Sequence, residues 1–202
     1  MAKALGLPPS NLATDKLPVS YVAPEKLVRV SGYTSGEPFF GQSGANRFDA
    51  PGCAAGTPEF SSCYLGFSLS VAIAESILHD EIPVNGKFRI AETTLTSKHV
   101  LRFQGANLRL LLLAGVNLKR LDGNADLSGT SDYTVSQQWS LAVHRNPANY
   151  DGFIYMSRHL NTEKAVILFD RARSKIAMAS STVLVATPGF ATAAKAFGIV
   201  GV

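Results

Sequence analysis

CYLGFSLSVAIAESILHD, residues 63–80, decides the fold: a short aromatic strand breaks into a helix that carries one glutamate, Glu75. At about 100° per residue, Val71, Ile73, Ala74, Ile77 and Leu78 sweep one continuous apolar arc. Glu75 comes next, on the margin of that arc, before His79, Ala72 and Ser76. A carboxylate is thereby placed where the core meets whatever lies over the helix. By default such a boundary charge is solvated or paired with an Arg or Lys. Its company points further, because Tyr64 heads the preceding apolar run and Arg47 sits further back after a glycine-rich approach.

Upstream, residues 34–61 are so dense in glycine and proline, with Asn46 and Asp49 among them, that long regular elements are excluded. This reads as a binding-type loop. Within it GANRFDAPG sets Arg47 beside Phe48, in a segment able to curl around a ligand. Before the loop, KLVRVSGY at 26–33 alternates like a strand, with Leu27, Arg29 and Ser31 on one face and Val28 and Val30 on the other. Residues 1–24, rich in Pro, Ser and Ala, predict a leader draped over the domain or a partner-binding arm; 25–202 form the domain itself.

Downstream, 87–95 and 108–121 read as extended or buried apolar segments, the second open to either strand or short helix. SDYTVSQQWSLAVHRN at 131–146 has Tyr133, Val135 and Trp139 at helical spacing, with Ser131 or Asp132 as a cap. A turn at Asp151 and Gly152 leads into a strand at 153–157, and AVILFDRA at 165–172 supplies a second that can pair with it. ATAAKAF at 191–197 closes the chain as a helix, with IVGV as its exit. Strands interleaved with helices, without regular βαβ alternation or a GxGxxG after a strand, predict a single α+β domain with a split or curved mixed sheet and flanking helices.

A chain of 202 residues, 46% hydrophobic and 17% charged, buries one substantial core. Its net charge of +4 is scattered, without the basic patch of a nucleic-acid binder, and suits an anionic small substrate equally well. Cys53 and Cys63 form no CxxC pair and the four histidines stand singly, so no metal is expected. No apolar run approaches the roughly 20 residues of a membrane span, and the protein reads as cytoplasmic, with no membrane partner.

An arginine in a glycine-rich loop, a tyrosine on a strand, a glutamate at a helix edge and Ser157 at a later strand end make a coherent chemical set. Arginine offers a planar fork for phosphate oxygens. Tyrosine offers a flat face and a hydroxyl. A carboxylate beside an anomeric carbon stabilises the oxocarbenium-like charge of glycosidic cleavage. A serine nucleophile is disfavoured, since no GxSxG elbow is present and Ser157 runs straight into Arg158 and His159.

LVRV around Arg29, NRF around Arg47, CYLGFS around Tyr64, AIAES around Glu75 and DGFIYMSR containing Ser157, in this order over 26–170, resemble the RES domain family. That family, named for Arg, Glu and Ser, includes toxins of bacterial toxin-antitoxin pairs and has an ADP-ribosyltransferase-like fold. Phe48 stands where many members carry tryptophan, and neither the leader nor the last thirty or so residues match its motifs. The resemblance implies an NAD-degrading toxin, a glycohydrolase or phosphorylase acting at the nicotinamide–ribose bond. A protein ADP-ribosyltransferase is its near alternative, and a catalytically silent module acting through a partner is an alternative of another class. It further implies Arg47 on the pyrophosphate or the nicotinamide-side phosphate, Tyr64 stacked on nicotinamide or ribose, Glu75 at the ribose hydroxyls and oxocarbenium, and Ser157 orienting the nicotinamide end. Arg29 is a second phosphate candidate whose alternative is a structural salt bridge. NAD enters as substrate, the implied protein partner is a helix-turn-helix antitoxin, no direct nucleic-acid contact is expected, and a homo-oligomer is compatible with the sequence.

Overall fold

Alternation of apolar side chains across a curled sheet builds three cores in the computed structural model, which describes residues 4–15 and 17–202. The sheet contains β1 (Val19–Val22), β2 (Val28–Ser31), β3 (Ser62–Gly66), β5 (His99–Gly105), β6 (Leu108–Leu112), β7 (Gly152–Met156), β8 (Lys164–Phe169) and β9 (Ile176–Val183). A separate parallel pair joins β4 (Phe88–Ile90) to β10 (Ile199–Gly201). In the main sheet the order is β1-β6-β7-β8-β3-β2-β5-β9, antiparallel except where β6 meets β7. The architecture is α+β, as the sequence predicts.

Each central strand sends alternate residues to opposite faces. On β8, Val166 and Leu168 join Leu65, Leu101, Phe103 and Ile154 in a core enclosed by the curl, whereas Ala165, Ile167 and Phe169 face outward. The outer face is divided. Over β6, β7 and β8 lies a cluster with Phe48, Trp139, Tyr150, Phe153 and Tyr155, covered by α5 (Thr134–Arg145). Over β2 and β5 lies another with Val28, Val30, Ile73, Ile77 and Leu184, covered by α1 (Leu69–Ala74) and α6 (Phe190–Phe197). Between the halves, β2 and β3 pair only at Val28 and Gly66, so the sheet is split there. β3 therefore runs along the seam between two outer cores.

The remaining helices are α2 (Glu92–Ser97), α3 (Gly115–Arg120) and α4 (Asp126–Gly129). Thus 87–95 is a strand followed by a helix, and 108–121 likewise, each apolar run being shared between the two element types. The expected pairing of β7 with β8 is present, antiparallel from Gly152 opposite Leu168 to Met156 opposite Lys164.

Two elements differ from expectation. The helix of residues 63–80 stops at Ala74, because the amides of Ser76, Ile77 and Leu78 all converge on the Ile73 carbonyl and tighten the chain into turns. The apolar arc survives, with Val71, Ile73, Ala74, Ile77 and Leu78 all buried. In the leader, Val19–Val22 becomes an edge strand on β6, too short a segment to show periodicity in sequence. The rest of its described part lies along the domain, with Leu12 fully buried and the carbonyls of Leu12 and Asp15 accepting from Asn146 Nδ2.

Candidate functional site

Strand alternation turns Cys63 and Leu65 into the enclosed core and Tyr64 to the outer face, at the seam. Gly66 then ends β3, and a Cβ there would lie 2.8 Å from Val71 Cγ1, so only glycine lets α1 fold back so tightly on its own strand. Ser68 caps α1, its Oγ accepting from the Val71 amide at 3.1 Å. The helix is one and a half turns long and delivers Glu75 as its C-terminal cap residue, half-buried above Tyr64.

The carboxylate is held from one side. Ser157, 1% exposed and just beyond the end of β7, donates to Glu75 Oε1 at 2.5 Å and accepts from the Leu160 amide at 3.0 Å. Its hydroxyl thus donates one hydrogen bond and accepts another, which fixes it against the Glu75 carboxylate. Among the described residues none donates to Glu75 Oε2, which stays open to the cavity.

Arg47 arrives on a loop pinned to β3. Asp49, 1% exposed, accepts on Oδ1 from Ser62 Oγ and from Tyr64 Oη at 3.1 Å, and on Oδ2 from Ser43 Oγ and both nitrogens of Asn46. Tyr64 Oη also accepts from the Phe48 amide at 3.0 Å. From the other side Gln137 Nε2 on α5 donates to the carbonyls of Gly44 and Asn46. The Tyr64 hydroxyl is thus committed to the loop, and what it presents to a ligand is its ring.

So fixed, Arg47 is 8% exposed, donates to the Thr130 carbonyl at 2.6 Å and lies 4.5 Å above the Tyr133 ring. Burial pulls its pKa below the ordinary arginine value, with Tyr133 opposing and Arg158 reinforcing the shift. It remains a cation, and no described carboxylate forms an ion pair with it. Arg158 reaches the same Thr130 carbonyl from solvent at 3.5 Å. Two guanidinium groups sharing one neutral acceptor make a site short of negative charge.

Arg47, Tyr64 and Glu75 line one cavity of about 160 Å³, together with Tyr133, Tyr155, Arg158, His79 and His159. A second cavity of about 130 Å³ shares Tyr64, Glu75 and Tyr155 and runs into the split between β2 and β3. Pockets that enclose a whole drug-sized ligand are typically ~300–1,000 Å³, so each cavity has room for a fragment of such a ligand and leaves the rest outside. The rings of His79 and His159 stand 4.5 Å apart at the rim, and burial pushes the pKa of His159 down. None of the described residues of the leader lines either cavity.

Four of the five residues singled out by sequence thus converge: Arg47, Tyr64 and Glu75 on the cavity, and Ser157 through Glu75. Arg29 does not. Its guanidinium turns to the opposite face, donating to the Phe39 carbonyl and Cys63 Sγ, with Glu37 Oε2 at 3.5 Å. That is the structural ion pair held as its alternative. Sequence reasoning missed Tyr133, Tyr155, Arg158 and His159, which are brought in by long-range packing, and Asp49, for which the spacing from Asn46 offered an Asx-turn signal. Among the described residues no three His, Cys, Asp or Glu side chains gather as a metal site requires, and no helix is long and apolar enough to cross a membrane.

The comparisons with known proteins bear on the same residues. The RES domain family model matches residues 26–186, a span containing every residue named above from Arg29 to His159. No curated protein matches the chain. Among solved structures, a chain of the crystal structure of the M.tuberculosis MbcT-MbcA toxin-antitoxin complex superposes with a TM-score of 0.57 at 14% identity, covering 80% of this chain and 85% of that one.

Proposed function

The chain belongs to the RES domain family, and we propose on that footing that it breaks NAD at the bond between nicotinamide and ribose, as the toxin of a toxin-antitoxin pair. The observation that carries the reading is one carboxylate, fixed by Ser157 on one oxygen, in a cavity shared with a tyrosine ring and an arginine that has no ion pair among the described residues.

Nicotinamide departs as a neutral base from a cationic pyridinium, so no strong general acid is required. The barrier lies in placing the dinucleotide and in stabilising positive charge on the ribose. Glu75 Oε2 supplies negative charge toward that carbon and accepts from ribose hydroxyls, while Ser157 keeps the carboxylate from turning away. Arg47 takes a diphosphate oxygen and is held aimed by Thr130 and Tyr133. Arg158 adds a second guanidinium from the solvent side. Tyr64 and Tyr155 wall the ribose from bulk water, and the acceptor, water or phosphate, enters from the open rim. Transfer to a protein side chain would use the same site with a different acceptor. A cognate antitoxin, of helix-turn-helix type by the family resemblance, is the proposed partner, as MbcT is solved with MbcA.

The test is incubation of the purified protein with NAD, with and without phosphate, and identification of the products by mass. Free nicotinamide with ADP-ribose, or with its 1-phosphate ester when phosphate is present, is expected. Intact NAD, together with unimpaired growth of cells expressing the chain alone, would instead favour a silent binding module.

A further inference from the structure

Among the residues that line the site, Tyr155 stands on the wall shared by both cavities and spends its hydroxyl on no described protein group. It projects from β7 to the outer face, two residues before Ser157, and is 4% exposed. Its ring is wedged edge-on against Phe48 at 4.7 Å and Phe153 at 6.2 Å between centroids, which fixes its direction. It lines both cavities, on the wall that separates them, beside Tyr64 and Glu75. Among the described residues, no hydrogen bond reaches its hydroxyl. Its ring is buried but its hydroxyl opens onto the cavity, where water or a ligand group can complete it.

We propose that Tyr155 is a substrate-contacting, specificity-determining residue whose hydroxyl donates to the 2′-hydroxyl of the ribose at the bond to be cleaved. The inference rests on the reading of Glu75 given above. Glu75 Oε2 can only accept, so the ribose hydroxyl it holds must donate to it and is left with free lone pairs. Tyr155, which can donate, completes that hydroxyl from the opposite side. A hydroxyl held between a donor and an acceptor has one orientation, which sets the ribose against the carboxylate. The phenol keeps its proton for this task, because burial, and after it the negative charge of Glu75, push its pKa well above the ordinary tyrosine value. Tyr64 cannot substitute, since its hydroxyl is taken by Asp49 and the Phe48 amide.

A donor aimed at a substrate hydroxyl should reject an analogue lacking that hydroxyl, because the phenol would then be buried unpaired. The experiment compares wild type and Tyr155→Phe on NAD and on NAD carrying a 2′-deoxy nicotinamide ribose. Tyr155→Phe should lower kcat/KM for NAD about tenfold while leaving kcat/KM for the deoxy analogue unchanged or raised, since the donor left unpaired there is gone. The intrinsic difference in bond lability between the substrates cancels between the two enzymes. Thermal midpoints should agree, since no protein hydrogen bond is removed. Equal losses on both substrates, no loss on NAD, or a marked fall in the midpoint would each overturn the assignment of Tyr155 alone. A wild type inert toward NAD would overturn the reading of the site and this inference with it.

Discussion

Arg47 shows how a residue becomes available for a ligand. Its guanidinium is buried among a carbonyl, a ring and another guanidinium, with no carboxylate in ion-pair range among the described residues. A charge so placed is stabilised most when an anion arrives. Arg47→Ala should weaken NAD binding by about 2 kcal/mol, the range of a hydrogen bond to a charged group; equal affinity in calorimetry would remove Arg47 from the diphosphate. Far from the site, His144 offers a test of the core. Its ring stacks on Phe60 at 4.6 Å, Nδ1 is buried without a partner among the described residues, and burial, with Arg171 next, depresses its pKa to about 4. Above pH ~6.5 the ring is neutral folded and unfolded. As pH falls from there toward 4, the unfolded chain takes a proton that the folded one refuses, so stability is lost across that window and levels off below it. His144→Phe should therefore lose less stability than wild type between pH 6.5 and 4, measured by denaturant unfolding. Identical pH slopes would contradict the buried neutral ring.

At the scale of elements, α1 is bracketed by the loop between β7 and β8. Ser68 at its start donates to Glu163 Oε2 at 2.6 Å, and Glu75 at its end accepts from Ser157, while the Ser157 amide donates to the Glu163 carbonyl at 3.0 Å. A helix of six residues has little stability of its own, and these ties set where its last residue points. Ser68→Ala removes the cap and the link to Glu163, and should cost about 1 kcal/mol of stability with a loss of turnover and little change in the affinity for NAD. Unchanged turnover, measured as nicotinamide release, would mean that the helix is positioned by its apolar face alone. That apolar face was legible in the sequence, as were the strand leading to it and the later β7 and β8, because local periodicity records burial. The early end of α1 was not, since it depends on which carbonyl three amides share. Nor was β9, whose run IAMASSTV is mostly exposed at the sheet edge and carries no alternation of polarity to announce a strand.

Across the whole molecule, the site occupies a discontinuity. Two outer cores, one under α5 and one under α1 and α6, meet over β3, and the sheet beneath them is joined there by a single residue pair. A continuous sheet would have filled the space that one of the two cavities occupies. The sequence carried the α+β class and the residues that approach this seam along the chain, Arg47, Tyr64, Glu75 and Ser157. It did not carry Tyr133, Tyr155 or Arg158, whose relevance arises only when distant elements close over β3, and it left Arg29 between two roles, of which the described contacts supply the structural one. The central claim is that the Glu75 carboxylate stabilises a ribose carbon turning positive. It is tested most directly by measuring NAD affinity and nicotinamide release for Glu75→Gln, an isosteric change that Ser157 can still hydrogen-bond. Binding within a few-fold of wild type with release all but abolished is expected, whereas release at the wild-type rate would contradict the claim.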